Sequence, residues 1–323
     1  MATLHNAHSK VFILHENPEW IPPFAAAFQR AGVAFQEWIF SDDAGHAFDL
    51  DREPPQGVFW SRLSASSHTR GHAHAKEYAR AVLAWLERHG RRVVNGAAVL
   101  EFEVSKVRQY LALQKHGFNV PRTSAVFGKN ALIATARQYA VPFMVKHNQG
   151  GKGLGVRRFD DVEDFERYVN GADFEAPVDG ITLIQEYIPS REHFITRLEF
   201  IGGKFHYAVR VDTSAGSFQL CPADACRIDD MPELAGGACD IQGAKNNAFS
   251  LRTDVDAGLP FVQKLEAFLQ QHQIEVAGVE FIETPTGERV IYDVNTNTNY
   301  NAQVEAQAKQ AAAERIVAFL DGL

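Results

Sequence analysis

Short apolar runs alternate with helical stripes over the first hundred positions. Val11-Phe-Ile-Leu14 is a compact apolar run and reads as a strand. Ile21 to Ala31 carries helical signals, with Pro22 and Pro23 near its start, where a missing amide hydrogen costs nothing. Val33 to Phe40 alternates, and Gly57-Val-Phe-Trp60 is another short strand; the polar stretch Ser41 to Gln56 between them reads as a loop. From Ala75 the apolar positions fall at Ala75, Tyr78, Ala79, Val82, Leu83 and Leu86, which is one face of a helix. Gly90 ends it, and Arg92-Val-Val94 supplies the next strand. Strand–helix alternation of this kind predicts a largely parallel sheet covered by helices. Residues 1 to about 100 therefore read as one α/β domain.

A second unit, 101–323, opens differently. Ser105 is a natural N-cap for a helix running to Lys115, with Gly117 as its stop signal. Thr123 to Val126 reads as a strand and Lys129 to Tyr139 as a helix. The remainder is richer in strand: Pro142 to Lys146, Ile181 to Ile184, Thr196 to Ile201, Lys204 to Val211 and Val290 to Val294. Gly202-Gly203 between two alternating runs is a hairpin signal. Pro260 opens a helix whose apolar face is Phe261, Val262, Leu265, Phe268 and Leu269. Gln219 to Arg252, rich in Ala, Asp and Gly, reads as a long surface loop, and no internal repeat is evident.

Composition narrows the class. With 46% hydrophobic and 22% charged residues, the chain of 323 residues is neither disordered nor fibrous. Thirty-two Lys and Arg against 40 Asp and Glu leave a formal charge of −8, which argues against a dedicated nucleic-acid binder. No apolar run approaches the roughly 18 residues that a membrane helix needs. The first ten residues lack the apolar core of a secretory leader, and three scattered Cys build no disulfide framework. The expectation is a cytoplasmic, reduced protein without nucleic-acid or membrane partners.

Four elements carry the candidate chemistry. Lys106 lies on a predicted helix; the strand ending in Lys146 runs directly into His147-Asn-Gln-Gly-Gly-Lys-Gly-Leu-Gly155. Gln185-Glu-Tyr-Ile188 follows, and then Gly278-Val-Glu280 with Tyr292-Asp-Val-Asn-Thr-Asn297 beyond it. A glycine-rich run lets backbone amides approach an anion closely. Here it matches neither G-x-x-x-x-G-K-[ST] nor G-x-G-x-x-G, but its lysines supply point charges for phosphate. Glu280, Asp293 and Asn295 sit in two apolar strands, and oxygen ligands from neighbouring strands suit Mg²⁺. Side chains repeat every two residues along a strand, so Asp293 and Asn295 share a face.

In this order the four elements resemble the ATP-grasp superfamily, most closely the RimK-like alpha-L-glutamate ligases, over roughly Glu103 to Gln303. The resemblance implies an α/β pre-grasp domain over 1–100 and an α+β grasp domain over 101–323. Its small lobe would span about 120–190 and its large lobe about 191–323. It implies ATP with Mg²⁺, or Mn²⁺ in its place, a carboxylate–amine ligase activity and a homo-oligomer. Lys106 and Lys146 would hold phosphates, under a loop of Gly150, Gly151, Lys152, Gly153 and Gly155. Gln185, Glu186, Tyr187 and Ile188 would read adenine. Glu280, Asp293 and Asn295 match the metal ligands, and Arg210 stands near an arginine that faces the transferring phosphate, with Lys146 as its catalytic companion. Two departures stand out. The aspartate that contacts ribose in such ligases is Ile195 here, with Glu192 the nearby carboxylate to substitute. Their Ser/Ala-Pro-Gly turn after the last metal ligand is replaced by Thr296-Asn-Thr-Asn-Tyr300, where Asn297 borders the acceptor site.

Other clusters are weaker. Arg62 to Arg70 is a dense polar loop after a strand end, where open α/β sheets bind ligands. Arg62, Ser66 and Arg70 are thus candidates to hold a substrate carboxylate, set against a plain solvated connection. His72 and His74 point to different faces and make no zinc pair, and Cys221 to Cys226 lacks the four closed ligands of a structural zinc site. The expected protein is an ATP-dependent ligase joining an acid, as a small molecule or peptide, to an amine acceptor. A nucleotide-binding regulator without turnover on the same fold is the rival reading.

Overall fold

The computed structural model describes residues 10–43, 45–151, 153, 155–214 and 248–323. The expectations for the first few residues, for Lys152 and for Cys221, Cys226 and Cys239 lie outside the described residues.

Strands β1 (Val11–His15), β2 (Phe35–Ile39), β3 (Val58–Arg62) and β4 (Arg92–Val94) form a parallel sheet in the order β2-β1-β3-β4. All five residues of β1 are buried, so both faces of the sheet need cover, which is the usual state of parallel sheets. Alternation divides the work. Val11 and Ile13 pack with Phe24 and Phe28 of helix α1 (Pro22–Ala31). Phe12 and Leu14 pack with Val82, Leu83 and Leu86 of α2 (Ala75–Arg88). Two further helices, α3 (Ala97–Glu103) and α4 (Lys106–Lys115), lead out of this unit. Ser105 caps α4 by accepting from the Arg108 amide, as its residue type and position suggested.

The next sheet is antiparallel: β5 (Thr123–Phe127), β6 (Phe143–His147), β7 (Arg157–Phe159) and β8 (Ile181–Glu186), ordered β5-β8-β6-β7. Helices α5 (Leu132–Ala136) and α6 (Val162–Asn170) cover it through Leu132, Phe165 and Val169. The third sheet, also antiparallel, comprises β9 (Phe194–Ile201), β10 (Lys204–Asp212), β11 (Phe249–Arg252), β12 (Val276–Glu283) and β13 (Arg289–Asn295). Its order is β11-β10-β9-β12-β13, and Leu265, Phe268 and Leu269 of α7 (Pro260–Gln271) pack into the core with Leu198, Phe200 and Val279. After β13 come α8 (Ala302–Gln307) and α9 (Ala312–Asp321).

Helix α9 returns to the start of the chain. Ile316, Val317 and Leu320 join Val11, Ile13, Phe24 and Phe28 in one core, and Lys10 Nζ meets Asp321 Oδ1 at 2.6 Å. That core also takes in Ile195, Val209 and Val276, so it runs without a break across the boundary drawn near residue 100. Asn95 ties the same seam. Held at φ 54°, its buried side chain donates to the carbonyls of Val276 (2.8 Å) and Thr296 (3.0 Å) and accepts from the Glu275 amide (2.9 Å). Arg92 adds an ion pair to Glu275. Among the described residues no helix is long and apolar enough to cross a membrane.

Some local expectations change. The helix read over Lys129 to Tyr139 is confined to the five residues of α5, with turns or bends on either side of it. The end of the stretch read as a loop, Phe249–Arg252, is strand β11, held by pairing with β10. Helices α3, α6, α8 and α9 and strand β7 were not anticipated. Replacing Asn95 by Ala should lower the unfolding free energy by about 2–4 kcal/mol, because several buried backbone groups lose their partner at once. Urea denaturation measures this, and a loss within a few tenths of a kcal/mol would mean that the seam does not depend on Asn95.

Candidate active site

One cleft opens between the three sheets, and most of the chemistry-bearing positions line it. Lys106, Lys146, Gly150, Gly151, Gly153, Gln185, Glu186, Tyr187 and Ile188 meet Glu280, Asp293, Asn295, Asn297 and Ser66 there. Segments more than two hundred residues apart in sequence thus share one space.

The helix α4 delivers Lys106 at its first turn. Lys106 Nζ lies 2.5 Å from Asp293 Oδ1. Burial opposes charge on both groups, but each meets the other, so Lys106 is pushed above its ordinary range and Asp293 below its own. The N-terminus of α4 is tied to the glycine-rich run. Asn148 Oδ1 accepts from the Val107 amide at 2.9 Å, and Gln149 Nε2 donates to the Ala65 carbonyl at 3.1 Å. The loop root is therefore anchored on one side to Lys106's helix and on the other to the first sheet's unit.

Lys146, on β6, has a different setting. Its ammonium donates to Tyr110 Oη at 2.5 Å and lies over the Tyr110 ring. Burial, reinforced by the neighbouring Lys106, brings Lys146 down to about 7. A buried lysine without a carboxylate in contact is poised to take up a proton when an anion arrives.

The acidic wall depends on a local irregularity. Glu280 of β12 stands opposite Asp293 of β13, but Phe281 pairs with Ile291, so Tyr292 is an extra residue in the strand. Through this bulge Tyr292 and Asp293, adjacent in sequence, both line the cleft. The Tyr292 hydroxyl donates to Glu280 Oε2 at 2.8 Å, and Arg197 of β9 donates to Glu280 Oε1 at 2.9 Å. Arg197 also holds Glu199, Nε to Oε1, at 2.5 Å. Burial works against the charge on Arg197, yet the two carboxylates keep it well above its ordinary range. Burial raises both Glu199 and Glu280, against the pull of Arg197. Gly278 makes the room: a Cβ there would come within 2.7–2.9 Å of the Arg197 guanidinium.

Residues outside this wall divide clearly. Gly155 packs against the His147 ring and does not line the cleft. Glu192 is an exposed side chain near Arg191 and lies off the cleft, whereas Ile195 lines it. Arg210 also lies off the cleft, with its guanidinium over the Phe194 ring at 4.1 Å. The reading of Arg62 and Arg70 as a fork for substrate carboxylate is revised, because both are spent on the protein itself. Arg62 is 1% exposed, donates to the Thr298 carbonyl (2.8 Å) and Asn299 Oδ1 (2.9 Å), and lies against Phe24 and Trp60. Arg70 pairs with buried Glu16 and donates to Ser66 Oγ at 3.2 Å. Sequence reasoning passed over Arg197, Tyr110, Tyr292 and Glu103. Glu103 accepts from the Thr296 amide and hydroxyl at 2.7 and 2.8 Å and lines the cleft.

Among the described residues no group of three or more His, Cys, Asp or Glu stands ready to hold a metal. Glu280 and Asp293 nevertheless face each other across the two strands with Asn295 two residues on, a partial oxygen set of the kind Mg²⁺ takes. Here Glu280 is held by Arg197 and Tyr292, Asp293 by Lys106 and Asn295 by the Asn297 amide.

The chain matches no protein-family model and no curated protein sequence. Its structure does match solved ones. A RimK domain ATP-grasp protein from Sphaerobacter thermophilus DSM 20745 is 18% identical, with a TM-score of 0.62 over 96% of this chain and 100% of that one. The ATP-grasp ligase PsnB, complexed with minimal precursor, Mg and ADP, is 12% identical, with a TM-score of 0.65 over 98% of each chain. The VanG D-Ala:D-Ser ligase from Enterococcus faecalis is 12% identical, with a TM-score of 0.64 over 98% of this chain and 99% of that one. The chain has the ATP-grasp fold: a parallel α/β unit followed by two lobes built on antiparallel sheets.

Arg197→Met should destabilise the protein by about 3–5 kcal/mol at neutral pH, because it leaves Glu199 and Glu280 buried without their cation. Carboxyl groups whose folded pKa is raised favour folding at low pH and lose that contribution as pH rises through the folded value. The deficit should therefore shrink between pH 8 and pH 5. Denaturation curves at both pH values test this, and an equal deficit at each would exclude a charge-based cause.

Proposed function

We propose that this protein is an ATP-dependent ligase that joins a carboxylate to an amine, releasing ADP and phosphate. It would act in the RimK-like manner, linking an amino acid to a small molecule or peptide. The observation that carries the proposal is the meeting of Lys106, Lys146 and the glycine-rich loop with Glu280, Asp293 and Asn295 around one cleft. The likeness to ATP-grasp ligases, one of them complexed with Mg and ADP, supports the same reading.

ATP would lie with its base toward Gln185 to Ile188, among the apolar side chains of Met144, Val156 and Ile188. Its phosphates would reach Lys106, Lys146 and the amides of Gly150, Gly151 and Gly153. Glu280, Asp293 and Asn295 would hold Mg²⁺, which when bound neutralises the transferring phosphate. A substrate carboxylate oxygen attacks the γ-phosphorus and ADP leaves. The amine then attacks the acyl carbon, phosphate departs, and the amine proton passes to solvent or phosphate. No protein nucleophile is needed. The residues position the reactants and stabilise charge. Arg197, held at the cleft by Glu280, is placed nearer to this chemistry than Arg210.

The proposal is tested by ADP release that requires both an acid and an amine, with the amide product seen by mass spectrometry. Nucleotide binding without such turnover would favour the regulatory alternative. Asp293→Asn should lower Mg²⁺-dependent turnover by at least about a thousandfold while the fold persists, since charge is removed at nearly constant volume. Normal turnover at normal Mg²⁺ would remove Asp293 from the ligand set. Lys146 supplies a further check. With a folded value of about 7, it is mostly neutral at pH 8, and an arriving phosphate's negative charge would draw a proton onto it from solvent, so nucleotide binding should take up a proton at pH 8 and much less at pH 6. Calorimetry in buffers of different ionisation enthalpy reads the uptake, and Lys146→Met should abolish it.

A further inference from the structure

One branch of the cleft is lined by Ser64, Ser66, Asn297 and Asn299, whose segments are held together by Glu103 through the Ala65 and Thr296 amides. Three arginines lie in or behind this branch, and each already has its partners. Arg197 is held by Glu199 and Glu280, Arg70 by Glu16, and Arg62 by the Thr298 carbonyl and Asn299. What the branch presents is neutral and hydrogen-bonding. Ser64 and Ser66 bring hydroxyls, and Asn297 brings an amide that is 4% exposed, lines the cleft and has a partner at neither Oδ1 nor Nδ2. A buried amide with both ends unpaired is costly unless a ligand satisfies it. One charge remains. Glu103 lines the cleft and accepts from the Thr296 amide and hydroxyl and the Ala65 amide, all neutral donors.

We propose that this branch binds the acid component of the ligation and that this component is a small amino acid with a single carboxylate and an uncharged side chain. The inference rests on the ligase reading above. The reacting carboxylate would face the lysines and the metal wall, the α-ammonium would face Glu103, and the side chain would meet Asn297 and Ser66. A methyl, hydroxyl or carboxamide side chain fits such surroundings. An aspartate or glutamate side chain would bring a second carboxylate to a place where the one lining arginine among the described residues, Arg197, is already held by two carboxylates. Arg70 and Arg62 stand behind the lining on Glu16 and on backbone and amide oxygens, and Glu103 and Glu280 line the same cleft. Rejection of the acidic amino acids by on the order of a hundredfold or more follows from leaving that charge unpaired.

The test is calorimetric binding of alanine, serine, asparagine, aspartate and glutamate, free and as dipeptide termini. The full chain is used with Mg²⁺ and a non-hydrolysable ATP analogue. At least one neutral amino acid should bind about a hundredfold more tightly than aspartate or glutamate. Asn297→Ala and Ser66→Ala should each weaken it several-fold while leaving analogue affinity unchanged, which also shows that the variants fold. Ser66→Arg should move the preference toward the acidic amino acids. Binding of aspartate or glutamate as tight as that of the neutral set overturns the inference, as does the absence of binding by every member. Amide formation is measured separately: selective binding of neutral amino acids without any product would sink the ligase reading and leave the assignment of this branch standing.

Discussion

Charge is costly to keep out of water unless opposite charge or well-placed hydrogen bonds meet it, and this molecule is organised around that constraint. Glu199, Glu280, Lys146 and Arg197 are buried at or beside one cleft, and Glu103, Lys106 and Asp293 are half-buried along it. No single element could carry such a set. The partners come from two helices, from three strands of one sheet and from a strand of another, so the charges are neutralised only once all of these have docked. Removing Lys106 would leave Asp293, and removing Arg197 would leave Glu199 and Glu280, without the cation that offsets their desolvation. The polar site and the global fold are thus conditions for each other, and the apolar cores on either side of the third sheet bring the pieces to within ion-pair distance.

Much of this was legible in the sequence, for physical reasons. Period-two and helical patterns survive wherever an element has one environment per face, which is why α2, α4 and most strands fall where the pattern places them. Lys106, Lys146, Glu280 and Asp293 were visible because their chemistry stands out against apolar neighbours and glycine. Other parts were hidden by tertiary context. Tyr292 stands at a bulge that suspends strand alternation, and alternation is what a sequence pattern extrapolates. Arg62 and Arg70 looked available because their partners, Thr298, Asn299 and Glu16, lie far off in sequence. Glu103 was anonymous for the same reason, its bonds being to Ala65 and Thr296. A charged side chain in a loop reads alike whether it faces solvent or a buried carboxylate.

The division between scaffold and site also differs from what motif order alone suggests. Arg210 and Arg197 sit on adjacent antiparallel strands, yet of the pair Arg197 alone lines the cleft. Gly278 is the reason Arg197 can do so, since any side chain at that position would occupy the guanidinium's place. The unit that begins the chain contributes through Ser66 and the Ala65 carbonyl, which contact the root of the glycine-rich loop. It is a wall of the cleft as much as a preceding domain.

The return of α9 to the first sheet bears on the order in which the protein can be made. Val11, Ile13, Phe24 and Phe28 leave the ribosome well ahead of Ile316, Val317 and Leu320, which close over the same core from far along the chain. Until then the first sheet and α1 carry an apolar surface that α9 has yet to cover, and in a crowded cell such a surface invites chaperones or neighbouring chains. The sheet and α1 can form first, but their burial is completed only by α9, so completion of the first unit is coupled in time to translation of a segment far along the chain.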